Sequence, residues 1–146
     1  MPSTPTDPLD RFVQAQSRDY AQALQELRAG RKRTHWIWYV LPQLRDLGRS
    51  EMAREYGIAD RSEAAAYIAH PLLGARLIEC IDAVLAHAGR RPEDILGDVD
   101  ALKFRSCLTL FAEVAPDRPC FRAALAAFYD GRSDSETLRL LGQDGG

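Results

Sequence analysis

Apolar positions recur at helical spacing along most of the chain. Phe12, Gln16, Tyr20, Leu24 and Leu27 fall on one face of a helix that Asp7 and Pro8 open and Gly30 closes. Ser50 and Gly57 bracket a short helix, and a second follows Asp60 or Ser62. Pro71 opens the next. Its stripe is Leu73, Leu77, Cys80, Ile81, Val84 and Leu85, it runs to about Ala88, and Gly89 ends it. "RPEDILG" reads as a single turn or short helix with acidic residues near its start. Asp98 or Asp100 begins a long helix with Leu102, Cys107, Leu110, Phe111 and Val114 inward. "PCFRAALAAFYDG" carries Phe121, Leu125 and Phe128 and stops at Gly131. "SDSETLRLLG" has the spacing of a capping box, Ser133 with Glu136.

"HWIWYVL" breaks the pattern, because Trp, Tyr, Ile and Val favour a strand. No second strand pattern exists to pair with it, and a lone strand leaves its backbone unsatisfied. A short buried helix ending near Pro42 is therefore expected. The sum is one compact all-α domain over residues 8–141, with about seven to nine helices, several short, and no sheet. Flexible ends are expected at 1–7 and 142–146.

Composition changes this picture little. The 146 residues, 46% of them hydrophobic, fit one domain with a real core. A net charge of −2 argues against a dedicated nucleic-acid binder. The basic run Arg28, Arg31, Lys32 and Arg33 reads as a solvated helix end. Cys80, Cys107 and Cys120 form no CxxC pair, so neither a disulfide framework nor zinc spacing is present. Cys80 and Cys107 lie on apolar stripes; Cys120 sits at a helix start, where a thiolate is favoured. No leader-like or membrane-length apolar run occurs in the sequence. The expectation is a cytoplasmic protein with no membrane contact, no cofactor and no metal.

The stretch 34–44 is the richest in residues able to carry chemistry. His35 and His70 both stand at element starts, where a side chain can face a crevice beside free backbone N–H groups. Trp36, Trp38 and Tyr39 can wall a pocket, although tryptophan is more often core. Gln43 can read an amide or a purine edge, or tie down its loop. Arg76 and Lys103 are cations on apolar helices, each three residues from an acid, Glu79 and Asp100. Known short catalytic motifs are missing, so no catalytic residue and no reaction is assigned.

Three stretches carry a resemblance. "THWIWYVLPQLRDLGRSEMAREYGI", "EAAAYIAHPLLGARLIEC" and "LGDVDALKFRSCLTLF" resemble a bacterial domain-of-unknown-function family. The ending "FYDGRSDSETLRLL" is also similar. Family members often carry the label "calpastatin". The resemblance covers nearly all of residues 8–141 and implies a single all-α domain without supplying a reaction. The label itself does not suit this sequence. Calpastatin is a disordered, repetitive inhibitor, whereas this chain is apolar, periodic and free of repeats.

Two functions follow as expectations. In the first, His35, Trp36, Trp38, Gln43, His70, Arg76 and Lys103 line a pocket for a small phosphorylated or nucleotide-like ligand. In the second, a helical groove holds a protein partner, without acting as a true calpain inhibitor. A concave polar site favours the first and an exposed apolar patch the second.

Overall fold

The computed structural model describes residues 7–143. The flexible ends expected at 1–7 and 142–146 therefore fall largely outside the described residues. Gly142 and Gln143 belong to the last helix. The elements are α1 (Asp10–Ala29), α2 (Ile37–Val40), a 3-10 turn (Arg45–Leu47), α3 (Glu51–Tyr56), α4 (Arg61–Ala69), α5 (Leu73–Leu85), α6 (Pro92–Leu96), α7 (Asp98–Val114), α8 (Cys120–Tyr129) and α9 (Ser135–Gln143). They form one all-α domain. Among the described residues there is no strand, only isolated bridges such as Leu44 with Ile58.

The β-prone segment is helical for the expected reason. Val40 and Leu41 donate backbone N–H groups to the carbonyls of Trp36 and Ile37, at 3.1 Å each, so the turn satisfies itself. α7 is the central helix and packs on α4, α6, α8 and α9, while α1 packs on α2 and α5. Phe12 meets Tyr67 edge-on at 5.0 Å, Tyr67 lies 5.5 Å from Phe111, and Phe111 stacks on Phe121 at 5.6 Å. These rings join α1, α4, α7 and α8 in one core.

Gly30 ends α1 in the left-handed conformation, φ 78°, and Arg31 N–H closes back on the Glu26 carbonyl at 3.0 Å. The following segment thus leaves α1 in a fixed direction. Gly57 allows a close crossing, since a Cβ there would lie 2.3 Å from Arg45 Cα. Across that crossing Ile58 N–H donates to the Gln43 carbonyl at 2.9 Å and Arg45 N–H to the Ile58 carbonyl at 2.8 Å. Residues 43–45 are held in place by these bonds.

Several local expectations need correction. Leu102 is 66% exposed. The inward face of α7 runs instead through Ala101, Phe104, Leu108 and Phe111, and burial on nearly all sides beyond Phe104 blurs the periodicity that would reveal it. The cap of α9 is Asp134, whose carboxylate accepts from Thr137 N–H and Oγ1 at 2.9 and 2.6 Å, and not Ser133. α5 begins at Leu73, after a turn at Pro71. Cys120 is half-buried, and burial pushes its thiol up to about 11 despite its place at a helix start.

Candidate functional site

Residues 31–36 double back over the end of α1 and are tied down by one carboxylate. Glu26, 3% exposed, accepts hydrogen bonds from Gln22 Nε2, Arg33 N, Thr34 N, Thr34 Oγ1 and Trp36 Nε1, at 2.6–3.0 Å. Burial raises its pKa. The bonds from the Thr34 hydroxyl, the Arg33 and Thr34 amides and Gln22 outweigh that and hold it at about 2. Trp36, 1% exposed, is thereby a core residue with its polar atom satisfied. His35 stays exposed, and its carbonyl accepts from the Tyr39 hydroxyl at 3.2 Å.

Lys32, expected in a solvated basic run, instead has its side chain buried beside this knot. Its side chain is only 7% exposed and its ammonium lies 2.8 Å from Asp100 Oδ2, at the start of α7. Lys103, one turn further along, lies 3.8 Å from Asp100 Oδ1. Each ammonium also sits over one indole of the same segment: Lys32 at 5.1 Å from the Trp36 ring centroid, Lys103 at 5.2 Å from that of Trp38. One carboxylate therefore stands between two lysines, and each lysine covers a tryptophan.

Trp38 is half-buried, and its Nε1 is shielded from solvent with no hydrogen-bond partner among the described residues. It lines a small hollow with Ile37, Leu41, Gln43, Ala53, Gly57 and Lys103. A larger open crevice of about 460 Å³ shares Gln43, Ala53 and Lys103 with that hollow. Arg49, Ser106, Val99 and Leu102 line its remaining sides, with Asp134 and Glu136 from the start of α9. Asp134 is engaged as the α9 cap and Glu136 pairs with Arg139. Ser50 caps α3 through Ala53 N–H at 3.1 Å. Ser106 Oγ donates to the Leu102 carbonyl at 3.2 Å, and Gln43, Arg49 and Lys103 carry the other side-chain donors that line this space.

Of the residues singled out in the sequence, Trp38, Gln43 and Lys103 come together here. His35, Trp36, His70 and Arg76 do not line this crevice. His70 Nδ1 accepts from the backbone N–H groups of Leu72 and Leu73 at 3.1 and 3.2 Å, which makes it the cap of the turn into α5. The Arg76 guanidinium stacks 4.6 Å from the Tyr20 ring centroid and reaches Gln16 Oε1 at 3.5 Å. His87 donates through Nε2 to the carbonyls of Leu27 and Arg28, both at 3.0 Å, so it serves the end of α1 and not its own helix. Two contributors escaped the sequence reading. Glu26 left one signal, a carboxylate placed beside the buried positions Leu24 and Leu27; Arg49 left none.

Among the described residues, no cluster of His, Cys, Asp and Glu is arranged to hold a metal ion, and no helix is long and apolar enough to cross a membrane. A family model described as "Protein of unknown function (DUF1810)" matches residues 6–141. The crystal structure of the conserved hypothetical protein Rv1873 from Mycobacterium tuberculosis is similar, with a TM-score of 0.91 and 49% sequence identity over 93% of this chain and 99% of that one. No curated protein matches.

Proposed function

The chain belongs to the DUF1810 family, and we propose that it binds a small phosphorylated or nucleotide-like molecule in the crevice between residues 43–50, α7 and α9. The observation that carries this reading is the meeting of Trp38, Gln43 and Lys103 around one hollow that shares Gln43 and Lys103 with the crevice. Gln43, Gly48 and Ser50 come from one of the stretches that carry the family resemblance, Lys103 and Ser106 from a second, and Asp134 from a third. The crevice volume falls in the range of small-molecule sites, roughly 300–1,000 Å³. Lys103 and Arg49 supply positive charge, and the Gln43 amide supplies a neutral donor. A cytoplasmic location goes with this reading, because the three cysteines are all unpaired.

A second reading rests on Val99 and Leu102, 65% and 66% exposed at the rim. Two apolar side chains one turn apart suit a protein partner laid along α7. Thermal denaturation with a panel of nucleotides and sugar phosphates separates the two. The pocket reading expects stabilisation of the wild type that is lost in Lys103→Ala and Gln43→Ala. A panel that shifts none of the three proteins, with a partner whose capture depends on Val99 and Leu102, overturns it.

A further inference from the structure

The arrangement of the two lysines says which part of a ligand this crevice recognises. A nucleotide can be held by its base, stacked on an aromatic face, or by its phosphate. Trp36 is 1% exposed and has Lys32 over its ring, so it offers no face to a ligand. The face of Trp38 is covered by the Lys103 ammonium at 5.2 Å. The Trp38 indole N–H is shielded from solvent, and the ring lines the small hollow and not the crevice.

The charge count points the same way. Asp100 carries one negative charge between Lys32, at 2.8 Å, and Lys103, at 3.8 Å. Lys32 is the more buried and the closer of the two, so Asp100 is chiefly spent on it. The cluster is one negative charge short, and the lysine left under-compensated is the one that lines the crevice. The groups beside it, the Gln43 amide and the Arg49 guanidinium, are donors as well. On the α9 side Glu136 is paired with Arg139, whereas Asp134 is hydrogen-bonded by the neutral Thr137 and keeps its negative charge.

We infer that this crevice recognises an oxyanion head group, phosphate or carboxylate, through Lys103, Gln43 and Arg49, with Asp100 as the positioning residue that holds Lys103 over Trp38. The inference rests on the small-molecule reading above and narrows it: the head group is read and a base is not. Positioning by Asp100 has a test of opposite sign to simple charge. Removing a nearby negative charge would by itself tighten anion binding. Releasing Lys103 from its place weakens it.

The experiment titrates the full chain with inorganic phosphate, acetate, AMP and adenosine. It uses calorimetry and the emission of Trp36 and Trp38, the chain's two tryptophans. Phosphate or acetate, together with AMP, is expected to bind, and the tighter of the two simple anions identifies the head group. Adenosine is expected not to bind. Lys103→Gln should weaken the anion about tenfold or more, the size of a lost charge-assisted hydrogen bond. Asp100→Asn should also weaken it. If burial of an unpaired Lys32 unfolds that variant, the double change Lys32→Met with Asp100→Asn removes both charges and serves in its place. Adenosine binding as tightly as AMP would overturn the inference while leaving the crevice a ligand site. Anion binding indifferent to Lys103→Gln overturns it too, and tighter binding in the Asp100 variants removes the positioning role. Failure of all four compounds to bind the wild type brings down the small-molecule reading along with it.

Discussion

Two tryptophans two positions apart have opposite surroundings. Trp36 is enclosed, its N–H donates to a carboxylate at 3.0 Å, and that carboxylate takes four further hydrogen bonds from its own neighbourhood. Trp38 is half-buried, its N–H has no partner among the described residues, and two residues of the hollow around it, Gln43 and Lys103, also line the crevice. Both carry a lysine over the ring and share one aspartate through those lysines. The difference lies in completion. Around Trp36 the fold satisfies every polar group it buries; around Trp38 it leaves donors unspent. The first arrangement is what stability requires, and the second is what a binding site can use.

The comparison can be broken most severely at Glu26. Glu26→Ala strands several buried donors at once and should cost roughly 3 kcal/mol or more, read as a lower urea midpoint. A related effect appears on acidification. The Glu26 carboxyl is held at about 2 when folded, below the ordinary glutamate value. Its contribution is therefore present above the unfolded pKa and lost as the pH falls from there through about 2. Across that window it amounts to about 3 kcal/mol, and Glu26→Gln should flatten this part of the stability profile. Next in size is the contrast between the indoles. Trp36→Phe keeps a ring and loses a hydrogen bond to an ionised partner, an expected cost of about 1.5 kcal/mol or more. Trp38→Phe loses no bond among the described residues and should cost clearly less in the same denaturation assay. The smallest effect is expected at the mouth of the crevice. Gln43→Ala should change stability by less than about 0.5 kcal/mol, because the side-chain amide makes no hydrogen bond among the described residues.

Much of the fold was readable because it rests on local signals. Gly30, Ser50 and Asp60 mark helix ends through the conformations and side-chain acceptors those ends need. The face of α7 was misread at Leu102, since a helix buried on most sides carries little periodicity. The candidate site was legible only in part. Lys103 and Gln43 stood out as polar residues next to apolar runs. His70 stood out at an element start and Arg76 as a cation on an apolar helix, yet the backbone of α5 and the ring of Tyr20 occupy them. Which tryptophan would be enclosed could not be read from a single turn of helix, because the choice depends on Glu26 reaching across from α1.

The knot around Glu26 also bears on how the chain folds. Its partners lie at most ten residues away along the chain, so closing it constrains only a short loop. The pairing of Lys32 with Asp100 closes a far longer one. Local closure is fast and distant closure slow, so the turn from α1 into residues 31–36 belongs to the early part of folding and the α7 side to the late part. Trp36→Phe should then act mainly by slowing refolding, and Asp100→Asn mainly by speeding unfolding, a division that stopped-flow kinetics resolves directly.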